Sequence, residues 1–378
     1  MRPKFEEGGK LHAFHSLFDA MDTFFYTPEQ TTVSGCHIRD AVDNKRTMFT
    51  VVIALIPALL FGMYNIGYQH YISLGQVSCY CDNFWGNLGY GFLKILPMLL
   101  VSYIVGLGIE CIFAQIRKHE VSEGYFVTGM LIPLICPPDV PLWQLAIAVA
   151  FAVIIGKEVF GGTGYNFLNP ALVARAFLFF SYPSQMSGDN VWIAEQGDAI
   201  SGATPLGEML AGGITPHASA LEMFLGFIPG SVGETSVVAI LIGAVILLVT
   251  GIASWRIMLS IFAGGAAMGL VFNMIGANPY MEMPFYYHFL IGGFMFGAVF
   301  MATDPVTAAQ TNIGKYIYGA LIGIMAVLIR VLNPAYPEGM MLSILLLNVF
   351  APLIDYYVVE ANIRRRAKRT KLLAKNNQ

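Results

Sequence analysis

The chain has 378 residues, of which 56% are hydrophobic and 12% are charged, and its formal net charge is −3. Soluble domains carry about 25% charged residues, so this composition argues against a soluble enzyme and against a nucleic-acid-binding protein. Several apolar runs exceed the ~18 residues that mark a membrane-spanning helix. The sequence therefore predicts an all-α polytopic membrane protein.

An amphipathic segment precedes the first apolar run, within a predicted N-terminal cytoplasmic region of residues 1–46. In "HAFHSLFDAMDTFFYTP", Phe14, Leu17, Phe18 and Met21 recur at the spacing of one helix face, and the other face is acidic and polar. Such a helix lies on the membrane surface or covers the cytoplasmic mouth of the membrane domain. The acidic face favours packing on protein over anionic lipid. Plain packing of the apolar stripe competes with a role in covering a ligand pocket.

Ten apolar segments follow, and two of them, 125–137 and 169–182, are too short to cross ~30 Å of hydrocarbon as straight helices. Irregular backbone persists at membrane depth only where protein covers it or where it lines a cavity. Short, interrupted segments therefore point to a site. In chain order the ten segments are 48–66, 91–116, 125–137, 141–157, 169–182, 236–254, 256–275, 285–302, 316–332 and 339–358.

The distribution of Lys and Arg predicts the orientation of the chain in the membrane. Alternate loops carry basic residues, whereas 67–90, 183–235 and 276–284 carry none. We therefore expect both termini in the cytoplasm and the 183–235 loop on the outer side. A basic cytoplasmic tail is predicted at 361–378, with Arg364, Arg365, Arg366, Lys368, Arg369, Lys371 and Lys375.

An internal repeat links the two halves of the membrane domain. "FVTGMLIPL" begins at Phe126 and "FLIGGFMFG" at Phe289, 163 residues apart (289 − 126). "LNPA" begins at Leu168 and again at Leu332, 164 residues apart (332 − 168). An odd number of spans in each copy inverts the second copy, so we predict two inverted five-helix repeats with broken helices and sites at the midplane. The two copies are predicted at 47–182 and 236–360.

Each LNPA copy has the residues that begin a helix. Asn is a good N-cap and Pro suits the first helical position, so Asn169-Pro170 and Asn333-Pro334 are predicted helix starts. The stretch before the first copy, "FGGTGYNFLNPAL", is flexible and polar, and its glycines allow close approach of the backbone to a ligand. A glycine patch at a helix crossing is the alternative. The glycines are Gly161, Gly162 and Gly164.

Charged residues inside predicted spans are costly and usually functional. Glu110, Lys157, Arg175, Asp304 and Asp355 lie within or at the ends of the apolar segments. Pairwise neutralisation, for example of Arg175 by a carboxylate, is the plain interpretation. Clustered carboxylates and backbone carbonyls also form a hard-cation site suited to Na⁺ or H⁺. Two further basic residues lie at predicted span ends, where they can snorkel to the interface: Lys94 and Arg330.

The outer loop contains "SGATPLGEML" at 201–210, where Gly and Thr suggest a phosphate site although the loop has no Lys or Arg. A phosphate held without a covalent bond needs such a cation or a helix terminus. Cys79 and Cys81 form a C-x-C pair in another predicted outer loop, which is too little for a metal site. No metal centre is expected.

Four motifs together carry a resemblance to a known family. "DAISGATPL", "GKEVFGGTGYNFLNPAL", "FMATDPVTAAQTN" and "APLIDYYVVEANIRRR" resemble the B subunits of Na⁺-translocating NADH:quinone reductases, and the likeness covers nearly the whole chain. The D subunits of Rnf ferredoxin:NAD oxidoreductases share the core. The "FHSLFDAMDTFFYTP" extension favours the quinone reductase. The resemblance implies a urea-transporter-like fold of two inverted repeats.

The resemblance also implies two flavins. A flavin transferase would attach FMN to Thr204 by a phosphoester, within a motif formed by Asp198, Ser201, Gly202 and Ala203. Because that bond is covalent, the missing positive charge of the loop no longer matters. The family also binds riboflavin without a covalent bond. Its ring is expected at Asn166 and Asn169, beside Gly161 and Gly162.

The resemblance further implies reduction of ubiquinone or menaquinone towards the cytoplasmic side, and sodium movement linked to Glu110, Asp304 and Asp355. Gly106, Phe14 and Phe18 are the candidate quinone residues. The sequence has no nicotinamide-binding fold and no Fe–S motif, so NADH oxidation is expected in a partner protein with FAD and an Fe–S cluster. A second FMN-carrying partner, membrane lipid and a bacterial inner-membrane location are expected too. The alternatives are an Rnf D-type subunit and a solute channel in which Thr204 carries no flavin.

Overall fold

The structure is a computed structural model that describes residues 15, 18, 32, 34–36, 38, 44–76, 82–117, 121, 124–189, 191–195, 202–210, 218–333 and 339–376. Within these ranges the chain contains helices and turns and no strand. The helices are α1 (Asn44–Ser73), α2 (Phe84–Arg117), α3 (Tyr125–Ile135), α4 (Leu142–Gly156), α5 (Pro170–Ser181), α6 (Pro183–Met186), α7 (Pro205–Leu210), α8 (Ala220–Leu225), α9 (Val237–Val249), α10 (Trp255–Ile275), α11 (Pro279–Glu282), α12 (Tyr287–Leu290), α13 (Phe294–Phe296), α14 (Asn312–Leu332) and α15 (Met340–Asn376).

Six of the described helices are long and apolar enough to cross a membrane by length and composition. They are α1, α2, α4 extended by the 3₁₀ turn Glu158–Phe160, α10, α14 and α15. Three shorter apolar helices, α3, α5 and α9, cover three more of the predicted segments. The predicted segment 285–302 is not one helix. It is divided into α12, α13 and the π-helical turn Gly297–Met301, with Gly292 at φ +68° between α12 and α13.

The helix bundle has two ends that differ in the segments they carry. The loop end carries residues 183–235, between α5 and α9. The tail end is the one at which α1 begins and from which the basic part of α15 continues. His15 and Phe18 are the described residues of the predicted amphipathic segment, and both are half-buried. The rest of that segment lies outside the described residues.

Close helix contacts depend on glycine at two pairs of helices. A Cβ atom on Gly91 of α2 would collide with the Met63 carbonyl of α1, and one on Gly264 of α10 would collide with the Ala320 carbonyl of α14. Membrane helices gain stability from close van der Waals packing because lipid is as apolar as their side chains. These glycines therefore set the spacing of the helices that surround the site.

The first LNPA copy begins a helix, as predicted. The Asn169 side chain accepts a hydrogen bond from the Ala171 N–H at 3.0 Å, and Pro170 is the first residue of α5. In the second copy, Asn333 directly follows α14 as its C-terminal cap. Residues 334–338 lie outside the described residues, so a helix start at Asn333-Pro334 stays a prediction.

Two buried arginines satisfy the carbonyl groups of the broken elements. Arg175 of α5 donates to the carbonyl of Ile135, where α3 ends, and forms an ion pair with Glu234 at 3.2 Å. Arg330 of α14 donates to the carbonyls of His288 and Ile291 at 2.7 and 3.1 Å. Helix ends leave carbonyls without intrahelical partners, and guanidinium groups supply several donors.

This arrangement confirms one prediction and corrects another. Arg175 is paired with a carboxylate, as the plain interpretation of intramembrane charge predicts. The prediction that Arg330 snorkels to the interface is wrong, because its side chain is only 1% exposed. The orphan carbonyls around α12, which the sequence pattern does not show, hold the guanidinium inside the bundle.

Candidate functional site

Thr204 lies at the start of a short helix at the loop end. Its Oγ1 accepts a hydrogen bond from the Gly207 N–H at 3.1 Å, and Pro205 is the first residue of α7. Thr204 is therefore an N-cap residue, half-buried, and Gly202 before it is buried. The Thr-Pro pair in the sequence is the same cap signal as Asn169-Pro170. Asp198 and Ser201 of the motif lie outside the described residues.

The helix after Thr204 is attached to the second half of the bundle. The Tyr280 hydroxyl donates to the Leu206 carbonyl at 2.6 Å. The Leu206 side chain is 3% exposed, and a Cβ atom added to Gly292 would lie 2.7 Å from its Cδ1. Leu206 thus packs directly on the turn that separates α12 from α13.

A cleft opens at the opposite, tail end of the bundle. It contains about 780 Å³ of space outside atoms, including the part open to solvent. The beginnings of α1, α3 and α5 border it, together with the connection from α9 to α10 and the stretch that follows α13. Its polar side chains are Thr47, Thr128, Lys157, Thr163, Asn166, Asn169, Thr303 and Asp304.

The turn before α5 presents two of these polar groups. Gly161, Gly162 and Gly164 have φ of +122°, +96° and +96°, values that L side chains rarely adopt. Of this turn, Thr163 and Asn166 line the cleft, whereas Gly161 and Gly162 shape the backbone that presents them. The Thr163 hydroxyl is buried and has no hydrogen-bond partner among the residues that the structure describes.

The cleft combines hydrogen-bonding side chains with apolar walls. Buried polar atoms without a partner are rare in folded proteins, so Thr163 Oγ1 is a hydrogen-bonding position available to a ligand. Val127, Leu131 and Phe300 give the cleft apolar walls. An apolar slot with a few convergent polar groups is the usual form of a cofactor site.

Asp304 borders the cleft and is held by its neighbours. Its carboxylate accepts hydrogen bonds from the Val306 N–H at 3.1 Å and from the Thr307 hydroxyl at 3.0 Å. The Asn169 amide donates to it at 3.4 Å. The structure thus brings together Asn169, a predicted riboflavin residue, and Asp304, a predicted ion residue.

Asp355 lies elsewhere and has a different environment. Its two oxygens accept from the Gln310 N–H at 2.6 Å, the Thr311 N–H at 3.0 Å and the Thr311 hydroxyl at 2.5 Å. These bonds attach α15 to the turn that begins α14. Asp355 does not border the cleft.

Glu110 of α2 forms a buried ion pair with Lys157 at the end of α4, and each side chain is 3% exposed. Next to it Arg117 pairs with the buried Glu158 at 3.4 Å. Lys157 borders the cleft, whereas Glu110 does not. A buried charge without its partner is strongly destabilising, so we expect removal of either Glu110 or Lys157 to destabilise this part of the bundle.

Of the candidate quinone residues, the structure describes Gly106 and Phe18, and neither borders the cleft. Gly106 is buried in α2, where an added Cβ atom would collide with the Tyr125 ring. Phe18 is half-buried, and Phe14 lies outside the described residues, as do Cys79 and Cys81. Among the described residues no group of three or more His, Cys, Asp or Glu side chains is arranged to hold a metal ion.

Sequence reasoning missed three residues of this region as site residues. Thr163 lies inside the "GKEVFGGTGYNFLNPAL" motif, and the only sequence feature that could have identified it as a site residue is its hydroxyl group. Lys157 begins the same region, but its partner Glu110 is 47 residues away in the chain. Tyr125 packs beside Lys157: its hydroxyl donates to the Ser102 carbonyl at 2.8 Å, and its ring lies 5.9 Å from Lys157 Nζ. No local pattern predicts that contact.

Comparison with known proteins gives a consistent picture. The family model described as NQR2, RnfD, RnfE family matches residues 31–364. The chain is similar to a protein from Ectopseudomonas mendocina that is named as the B subunit of Na(+)-translocating NADH-quinone reductase, with 51% identity over 97% of this chain and 96% of the relative. A protein of the same name from Chromohalobacter salexigens is 50% identical over 98% of this chain and 95% of the relative. Both the matched range and these identities show that the chain belongs to the NQR2, RnfD, RnfE family.

Proposed function

We propose that this chain is the B subunit of a Na⁺-translocating NADH:quinone reductase, with FMN on Thr204 and riboflavin in the tail-end cleft. It would pass electrons to ubiquinone or menaquinone and couple their passage to Na⁺ translocation. The observation that carries the proposal is the location of two candidate flavin positions at opposite ends of one membrane bundle. The names of the relatives support the same assignment.

The surroundings of Thr204 support covalent attachment of FMN. Its hydroxyl oxygen faces the N–H of Gly207 at the start of α7, and a helix start favours a phosphate group at that oxygen. No Lys or Arg of the 183–235 loop is needed to retain a covalently bound group. Flavins supply reversible electron transfer, while the protein binds and orients them.

The cleft residues support riboflavin at the tail end. Thr163 Oγ1 offers a free hydrogen-bonding position, and Asn166 and Asn169 line the same space. Riboflavin has no phosphate, so the cleft needs no cationic cradle for it. Lys157 is already engaged by Glu110.

We assign the direct cation contact to Asp304, since it is the carboxylate that borders the cleft. Glu110 would pair with Lys157 beside the cleft, and Asp355 would hold the turn that follows the Asp304 segment. A change of charge on a flavin in the cleft would then be compensated by a cation at Asp304. Hard cations favour such oxygen ligands.

We further propose two inverted five-helix repeats, with α3 and the α12–α13 segment as the broken elements. A pair of contacts supports this. Gly106 packs on Tyr125, and Gly269 packs on Phe285 and His288. The two glycines, and likewise Tyr125 and His288, are 163 residues apart (269 − 106 and 288 − 125), which is the offset of the "FVTGMLIPL" repeat.

In this proposal the chain works in the inner membrane within a larger complex. One partner oxidises NADH with FAD and an Fe–S cluster, a second partner carries another FMN, and a flavin transferase modifies Thr204. Both termini would be cytoplasmic, and residues 183–235 would face the periplasm with their excess of carboxylates.

Covalent flavin is the direct test. The chain is produced with a flavin transferase and run on a denaturing gel, which removes every flavin without a covalent bond. We expect an ultraviolet-fluorescent band from the wild type and a dark band from Thr204→Ala. Thr215→Ala, in the same loop, is the matched control and should remain fluorescent.

A dark wild-type band made with the transferase present would contradict the proposal and favour a solute channel with the same fold. The Rnf D-type alternative predicts the same fluorescence. The two alternatives are distinguished by assaying the assembled complex for Na⁺-dependent quinone reduction by NADH, which only the quinone reductase should catalyse. The high identity to named B subunits over almost the full chain supports the quinone reductase.

A further inference from the structure

A network of polar side chains holds the segment that enters the Thr204 loop. Lys94 of α2 contacts Asp139 at 3.2 Å and Glu195 at 2.8 Å. The Tyr90 hydroxyl, one turn earlier in α2, donates to the other oxygen of Glu195 at 3.1 Å. The Asp139 carboxylate in turn accepts the Glu195 N–H at 2.9 Å. Glu195 is thus held by both its side chain and its backbone.

The backbone of Glu195 is strained, which indicates that these bonds determine its position. Its φ is +47°, in the left-handed region that residues other than Gly seldom adopt. Such conformations are energetically costly and persist only when the surrounding structure over-determines them. The hydrogen bonds from Lys94 and Tyr90 also hold the pKa of Glu195 below its ordinary value. The contacts that favour its charged form therefore persist at neutral pH.

The neighbouring residue is held by a different helix. His70 of α1 lies 2.9 Å through Nδ1 from the Ala194 carbonyl. Its ring stacks on Tyr90 with a centroid distance of 4.0 Å. Ala194 is 1% exposed. Residues 194 and 195 are therefore fixed to α1, α2 and the turn before α4, which all belong to the first half of the bundle.

The other side of Thr204 is fixed to the second half, through Leu206, Tyr280 and Gly292. Glu195 and Leu206 are eleven residues apart in the chain (206 − 195). The loop that carries Thr204 therefore bridges the two halves of the membrane domain and is anchored to each of them.

We propose that Lys94, Asp139 and Glu195 form a clamp that positions Thr204, and with it the attached flavin, over the boundary between the two halves. This inference rests on the proposed function. The three side chains are positioning residues that act through the loop. Electron transfer weakens steeply with distance, so a group on a loop anchored at one side only would spend less time at its working position.

Charge reversal tests the clamp. In the assembled complex, Lys94→Glu and Glu195→Lys are each expected to lower kcat for Na⁺-dependent quinone reduction several-fold. The quinone KM should stay unchanged, because quinone reduction is expected towards the cytoplasmic side, away from the loop end. The double variant Lys94→Glu with Glu195→Lys restores opposite charges and should recover most of the kcat. A general loss of packing would not recover in this way.

Two further variants keep the test decisive if a charge reversal prevents assembly. Lys94→Met and Glu195→Gln remove the ion pair without introducing repulsion, and they should lower kcat in the same direction. Glu282→Gln is the matched control, since it also neutralises an exposed carboxylate at the loop end. It should behave as the wild type.

The fluorescence of the denaturing-gel band distinguishes a failure of the clamp from a failure of the proposed function. A fluorescent wild type with wild-type kcat in Lys94→Met and Glu195→Gln would overturn the clamp and leave the proposed function intact. Failure of the double reversal to recover activity would also overturn it. If the band weakens in the single reversals and returns in the double variant, the clamp positions Thr204 for attachment as well. A dark wild type would refute the proposed function itself.

Discussion

Asp304 and Asp355 are both carboxylates of the tail end, yet their hydrogen bonds give them different tasks. Asp355 accepts three bonds that link α15 to the start of α14. Asp304 borders an open cleft, and its bonds come from its own turn and from Asn169. A carboxylate already saturated by backbone and hydroxyl donors has less capacity to bind a passing cation than one that faces open space.

We therefore expect the two substitutions to separate stability from ion dependence. Asp355→Ala removes the link between α14 and α15 and should lower the unfolding temperature of the purified complex by a few degrees, which corresponds to about 1 kcal/mol. Asp304→Asn keeps the shape of the side chain and should raise the Na⁺ concentration needed for half-maximal turnover. Thermal unfolding in detergent and Na⁺ titration of turnover are measured on both variants. The reverse pattern would contradict the assignment.

The sequence could identify these residues as costly intramembrane charges, but it could not assign their partners. Glu110 and Lys157 are 47 residues apart in the chain, and Asp355 accepts hydrogen bonds from Thr311, which is 44 residues away. Such pairings depend on which helix faces pack together. Arg330 shows the same limit: its position near a span end suggested the interface, whereas carbonyls of a broken element hold it in the interior.

At the scale of elements, α5 shows how a short sequence signal builds part of the site. Asn169 caps the helix, lines the cleft and donates to Asp304. Loss of an N-cap side chain costs about 1 kcal/mol. One residue thus connects the start of a helix with the geometry of the cleft in which we propose riboflavin.

Two substitutions separate those roles. Asn169→Ala removes both the cap and the amide, so it should lower the unfolding temperature and the amount of riboflavin that copurifies. Asn169→Ser keeps a capping oxygen and should retain most of the stability while it still loses the amide donor to Asp304. Riboflavin is quantified after denaturation, which also distinguishes it from covalent FMN. Equal riboflavin content in both variants and the wild type would contradict the role of Asn169 in binding.

The helix starts and the short lengths of α3 and α5 followed from Pro, Asn and the extent of the apolar runs. The break within 285–302 did not, because its apolar run is long enough for one helix. It is broken by Gly292 at positive φ and by the contacts that Leu206 and Arg330 make around that turn. Long-range packing overrides hydropathy at this element.

At the scale of the whole molecule, the loop end and the tail end differ in charge. The loop end carries carboxylates with few cations, and the continuation of α15 beyond the apolar part is exposed and basic. The positive-inside rule places the basic end in the cytoplasm. The orientation is therefore a prediction that follows from charge alone.

Labelling with a membrane-impermeant maleimide tests this orientation in intact cells. In a background without the five native cysteines, Ser187→Cys at the loop end should react from outside. Thr370→Cys in α15 should react only after the inner membrane is permeabilised. Both positions are exposed, so a failure to react reports location and not burial. Labelling of Thr370→Cys in intact cells would reverse the orientation.

The contact between Gly106 and Tyr125 determines how a substitution at Gly106 should be interpreted. One extra methyl group on Gly106 would displace the Tyr125 ring, which lies over the ammonium group of Lys157. Lys157 is the partner of Glu110 and a wall of the cleft. A substitution at Gly106 can therefore affect the cleft through two side chains, those of Tyr125 and Lys157. A change in quinone turnover in such a variant would therefore not require that quinone contacts Gly106. It would show that the packing of Gly106, Tyr125 and Lys157 is coupled.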